Sequence, residues 1–168
     1  RRRHTRYISV TGVQTCALPI FIADYRRHYA EIDAAVTHPF PGIIDLLETL
    51  RARGIRMAIA TNKHSTPATA TLQRLGILAW FDIVAGGESV PQPKPHPDLM
   101  LRVLQQTGSA PASALMVGDA TVDIEMAHAA GVSSCAVTWG NHAREQLVAC
   151  RPRYVIDSPI DLLQVITR

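Results

Sequence analysis

From residue 41 onward the apolar positions switch between two periods. Residues 42–53 place Ile43, Leu46, Leu47 and Leu50 at helical spacing, and Gly54 ends the run. Residues 55–60 are a short apolar stretch that reads as a strand. A second helix starts where Ser65 or Thr66 can cap it, has Pro67 in its first turn and stops at Gly76. Residues 81–85 read as a strand running into Gly86-Gly87, and residues 98–106 as a helix with Leu99, Val103 and Leu104 inward. Residues 114–117 are a strand, 121–130 a helix stopped by Gly131, 134–139 a strand and 143–149 a helix. Residues 154–156 form a last short strand and 160–166 a terminal helix. Strands alternating with helices of this length predict right-handed βαβ units. The fold class is therefore α/β, a Rossmann-like three-layer α/β/α arrangement around a parallel sheet.

In a parallel sheet the C-terminal ends of the strands share one edge, and ligands bind there. Three polar clusters follow strands. Thr61-Asn62-Lys63 follows residues 55–60, Lys94 lies in the loop after residues 81–85, and Asp119 and Asp123 follow residues 114–117. Lys94 sits in Pro91-Gln92-Pro93-Lys94-Pro95-His96-Pro97, whose four prolines make a stiff support. Each cluster also has an ordinary structural explanation. Gly118-Asp119 is a common turn and Asp123 a common helix-start residue. Thr61-Asn62 can be a plain turn and Lys94 a solvated lysine. Taken together, a hydroxyl, an ammonium and two carboxylates suit a phosphate beside a hard, oxygen-seeking cation such as Mg²⁺. Backbone N–H groups at the start of the helix after residues 55–60 would add donors.

Ala60-Thr61-Asn62-Lys63, Lys94-Pro95-His96-Pro97-Asp98 and Gly118-Asp119-x-x-x-Asp123 resemble, in order and spacing, motifs two, three and four of the haloacid dehalogenase-like (HAD-like) hydrolases. Phe40-Pro41-Gly42 and the Thr-Asn-Lys triplet look most like the phosphoglycolate phosphatase branch. The resemblance covers residues 21–166. It implies a Mg²⁺-dependent phosphomonoester hydrolase acting on a small phosphorylated metabolite through a phosphoaspartate. Thr61, Asn62 and Lys94 would bind phosphate, and Lys94 would also neutralise the nucleophile. Asp119 would ligate Mg²⁺, with Asp123 as a further ligand or support. Ala120 stands where the family usually has Ser or Thr. His96 reads as packing, His64 as near the substrate at most, and Trp80 and Trp139 as packing residues.

The family's first motif, Asp-x-Asp-Gly-Thr, supplies the nucleophile and the general acid/base, and this sequence contains none. Residues 21–39 resemble the end of a helical cap, and residues 40–168 the core without its motif-one strand. Residues 1–20 resemble translated sequencing-adapter DNA and are expected to be a foreign leader. Residues 7–13 have strand character and are expected to fill the slot between the strands bearing Thr61 and Asp119, without a carboxylate. The alternatives are a non-catalytic phosphate-binding pseudo-enzyme, or another branch of the superfamily such as a sugar-phosphate mutase, a phosphonatase or a dehalogenase. A receiver domain fits less well, because its acids cluster near the first strand.

Composition narrows this further. At 168 residues and 47% apolar content the chain can bury one real core. The formal charge of +3 comes from Arg1, Arg2, Arg3 and Arg6; without them 13 basic residues face 14 acidic ones. Nothing therefore argues for nucleic acid as a partner. No apolar run approaches a membrane span, and residues 1–20 lack the apolar core of a signal peptide. Cys16, Cys135 and Cys150 show no metal-type spacing, and Cys135 reads as buried, which suits a reducing cytoplasm.

Overall fold

The described residues of the computed structural model are 37–166, and the compact unit that contains nearly all of them is His38–Arg168. The expected strand at residues 7–13, the helical pattern at residues 23–30 and Cys16 lie outside the described residues. Helix α1 (Ile43–Ala52) buries Leu46 and Leu50 from the stripe read in the sequence. Strand β1 (Ala58–Thr61), helix α2 (Ser65–Arg74), strand β2 (Ile83–Gly86) and helix α3 (Asp98–Thr107) follow. Then come β3 (Leu115–Gly118), α4 (Thr121–Ala129), β4 (Ser133–Val137), α5 (Arg144–Ala149), β5 (Tyr154–Ile156) and α6 (Leu162–Val165). Among the described residues no helix is long and apolar enough to cross a membrane.

Among the described residues all strand pairings are parallel. β1 pairs with β2, with Thr61 opposite Gly86. β4 lies between β3 and β5, with Gly118 opposite Ala136 and Val137 opposite Ile156. Strand β4 shows why the architecture has three layers. Cys135 and Val137 pack with Leu46 and Leu50 of α1 and Leu162 of α6. Ala136, one position out of phase, packs with Ile124 of α4 and Leu147 of α5. Alternate residues of one strand thus feed two helical layers. A third cluster joins Leu99, Met100 and Leu104 of α3 to Met126 and Ala127 of α4, with Ala60, Ala85 and Met116 from β1, β2 and β3 against it. This cluster ties the β1–β2 pair to the three-stranded sheet.

Within the described residues the expected elements are found, some with other boundaries. β1 starts at Ala58, not at residue 55. Arg56 explains the delay: Nε binds Asp82 Oδ2 at 2.6 Å and Nη1 binds the Thr107 carbonyl at 2.6 Å, so this residue belongs to a polar edge. β2 begins at Ile83 because residues 78–80 close a 3₁₀ turn first. The expected terminal helix from residue 160 divides into a 3₁₀ turn, Pro159–Asp161, and α6. Cys135 is fully buried as expected, and burial pushes its thiol up to about 11. Trp139 packs against the cluster of α1, β4 and α6, and Trp80 is half-buried.

Candidate functional site

Each of the first four strands ends in a loop that carries a polar side chain, and hydrogen bonds link those loops in sequence. After β1, the Asn62 carboxamide grips the backbone of Lys94 from both sides. Asn62 Nδ2 donates to the Lys94 carbonyl at 3.1 Å, and the Lys94 N–H donates to Asn62 Oδ1 at 2.9 Å. After β2, the Lys94 ammonium reaches Asp123 Oδ1 at 2.6 Å, with both side chains nearly buried, 9% and 8% exposed. After β3, the Ala120 N–H donates to Asp123 Oδ2 at 3.2 Å, which caps the start of α4. Gly118 is required there, since a Cβ at that position would overlap the Asp123 side chain.

Asp119 is held from the loop after β4. The N–H and Nδ2 of Asn141 both donate to Asp119 Oδ2, at 2.9 and 2.8 Å. The His142 N–H donates to the Asp119 carbonyl at 3.1 Å, and the Thr121 N–H donates to His142 Nδ1 at 3.1 Å. A Cβ on Gly140 would overlap the Asp119 carboxylate, so glycine lets the two loops meet. The sequence reading named no site residue in this loop, only Trp139 as packing. Gly140 beside Asn141, just past an apolar strand, was the available signal of a close backbone approach.

The expected site residues take distinct places. Thr61 ends β1, and its hydroxyl accepts the Lys63 N–H at 3.1 Å. Asn62 spends both halves of its amide on Lys94. Asp123 has both oxygens engaged, whereas among the described residues Asp119 accepts hydrogen bonds at Oδ2. Asp119 Oδ1 accepts no hydrogen bond from the described residues, and a carboxylate oxygen is the donor type that Mg²⁺ takes. Among the described residues no group of three or more His, Cys, Asp or Glu is placed to hold a metal. The donor set present fits Mg²⁺ in kind, through one oxygen of Asp119. His96 does not stand alone: its Nδ1 lies 2.8 Å from Asp98 Oδ1, at the start of α3.

One expectation needs correction. Neither Ser65 nor Thr66 caps α2; the flanking residue is His64, and no side chain of its own closes the end. Glu88 closes it instead, accepting the Ser65 N–H at 3.0 Å and binding the Ser65 hydroxyl. The first N–H of that helix is therefore not an open phosphate donor. The Ser65 hydroxyl, and then its N–H, hold the Glu88 carboxyl below the ordinary 4.5. A lowered folded-state value means that the capping contribution is present above about pH 4.5 and is lost as acid protonates Glu88. Glu88→Gln is expected to lower the Tm at pH 7 and to flatten its fall between pH 5 and 3, as read by circular dichroism; an unchanged acid limb would contradict this.

The family profile of haloacid dehalogenase-like hydrolases matches residues 4–137, which includes most of the stretch read as a leader. A probable phosphatase, IndB, of Dickeya dadantii is 40% identical over 119 residues, covering 71% of this chain and 52% of that protein. A phosphoglycolate phosphatase of Escherichia coli K12 is 37% identical over 139 residues, covering 83% of this chain and 55% of that protein. A crystal structure of a predicted phosphoglycolate phosphatase from Haemophilus somnus superposes with a TM-score of 0.77 at 29% identity, covering 82% of this chain and 62% of that one. The chain spans about half the length of the curated relatives it matches. The profile match over most of the sequence shows that the chain belongs to the haloacid dehalogenase-like hydrolases.

Proposed function

We propose that this chain is the core part of a Mg²⁺-assisted phosphomonoester hydrolase of the phosphoglycolate phosphatase type, acting on a small phosphorylated metabolite. The observation that carries the reading is the unbroken run of hydrogen bonds from Asn62 through Lys94, Asp123 and Ala120, beside Asp119 and Asn141. It holds the Lys94 ammonium beside the Asp123 carboxylate, with the Thr61 hydroxyl one residue before Asn62 at the end of β1. Thr61 Oγ1 donates to a phosphoryl oxygen. The Lys94 ammonium has three donors; one serves Asp123, and the others serve phosphate. Asn62 acts on Lys94, fixing its backbone. Asp119 would hold Mg²⁺ through its carboxylate. When bound, Mg²⁺ offsets the charge that develops on the phosphoryl oxygens.

The attacking carboxylate and the acid/base belong to an Asp-x-Asp segment that the 168 residues do not contain. Proton transfer by a positioned acid/base is worth about 10²–10⁴ in rate. The 168-residue chain is expected to turn over p-nitrophenyl phosphate no faster than buffer. The gene read from genomic DNA through the region encoding residue 21 is expected to encode Asp-x-Asp-Gly-Thr. Its product is expected to show Mg²⁺-dependent phosphatase activity that Asp119→Asn removes. A genomic reading frame with the same leader and no such motif would favour the non-catalytic phosphate-binding module instead. An intact product with the motif but no Mg²⁺-dependent activity would overturn the proposal.

A further inference from the structure

We propose that Asn141 is a positioning residue for Asp119 and sets which cation the site accepts, favouring Mg²⁺ over Ca²⁺. The inference rests on the reading of Asp119 as the cation's carboxylate. Both hydrogen-bond donors of Asn141 converge on the same oxygen, Oδ2, at 2.9 and 2.8 Å. Gly140 leaves no Cβ in the way of that approach, and the His142 N–H fixes the backbone of Asp119 from the same loop. One loop thus fixes both the carboxylate and the backbone of Asp119. Two N–H groups donating to Oδ2 compete with a cation for that oxygen, while Oδ1 accepts no hydrogen bond from the described residues.

Coordination chemistry turns that difference into selectivity. Mg²⁺ is compact and octahedral, keeps several waters and is content with one oxygen per carboxylate. Ca²⁺ is larger, takes six to eight oxygens and readily uses both oxygens of a carboxylate. A carboxylate with one oxygen already bonded twice therefore penalises Ca²⁺ more than Mg²⁺. Asn141→Ala removes the Nδ2 donor. Asn141→Asp keeps the size and puts an acceptor where that donor was. Both release Oδ2 from its side-chain donor, and Asn141 is exposed, so neither opens a core cavity.

The test uses the 168-residue chain. Mn²⁺ uptake is followed by water-proton relaxation, and Mg²⁺ and Ca²⁺ are titrated as competitors against wild type, Asn141→Ala, Asn141→Asp and Asp119→Asn. The wild type is expected to bind Mg²⁺ more tightly than Ca²⁺. Both Asn141 variants are expected to move the ratio toward Ca²⁺ by about tenfold, the size of one hydrogen bond to a charged group. A purely structural role would weaken both cations together and leave the ratio where it was. If Asp119→Asn abolishes Mn²⁺ uptake while the Asn141 variants keep the wild-type ratio, the inference is overturned and Asp119 remains the cation's carboxylate. If the wild type takes up no Mn²⁺, or Asp119→Asn takes it up unchanged, the reading of Asp119 fails and the inference falls with it.

Discussion

Lys94→Met is expected to destabilise the fold by about 3–5 kcal/mol, because it strands Asp123 without its partner. The two side chains are 2.6 Å apart and less than a tenth exposed, so water cannot replace the lost ammonium. Asp123 is also pinned by the Ala120 N–H and by the absence of a Cβ at Gly118, which leaves it little room to swing out. The double variant Lys94→Met/Asp123→Asn removes both charges and keeps an oxygen for the Ala120 N–H. It is expected to recover most of the loss, since replacing a buried pair as a unit is often neutral or better. Urea denaturation of the four proteins gives the coupling directly. Additive single-variant losses would mean that the pair does not interact in the folded state.

Leu99→Ala is expected to cost about 2–5 kcal/mol, the range for emptying a fully buried leucine site. Its cluster touches β1, β2 and β3 through Ala60, Ala85 and Met116, so the loss falls on the junction between the two sets of strands. The chain has two tryptophans that report on different places. Trp139 packs with α1, β4 and α6, and Trp80 sits in the turn before β2. If the α3–α4 cluster joins both regions into one cooperative unit, Trp80→Phe and Trp139→Phe proteins carrying Leu99→Ala unfold with coincident midpoints. Separate midpoints, with the Trp80 signal lost first, would show that the β1–β2 pair is held independently.

Most of the scaffold was legible because its signals are local. Residues at helical spacing, apolar runs and the glycines at 54, 76 and 131 mark elements without reference to anything distant, and all three glycines sit at positive φ as helix-ending residues do. Boundaries were less legible where a polar anchor cut a strand short, as Arg56 does before β1. The placement of Thr61, Lys94, Asp119 and Asp123 at strand ends followed from the parallel topology alone. What they touch did not. Asn62 and Lys94 are 32 residues apart, Ser65 and Glu88 23, and Asp119 and Asn141 22. No periodicity connects such pairs. Glycine next to a polar residue was the trace they left, at Gly87-Glu88 and at Gly140-Asn141.

In the proposed function the strand-end loops form one receptor for a phosphoryl group beside a cation. The direct measurement is the ³¹P linewidth of orthophosphate titrated with the 168-residue chain, with and without Mg²⁺. Wild type is expected to broaden the signal in a Mg²⁺-dependent way. Thr61→Val and Asp119→Asn are each expected to abolish that broadening while keeping the wild-type circular dichroism spectrum. A wild-type chain that leaves the line sharp, or variants that broaden it as the wild type does, would contradict the account.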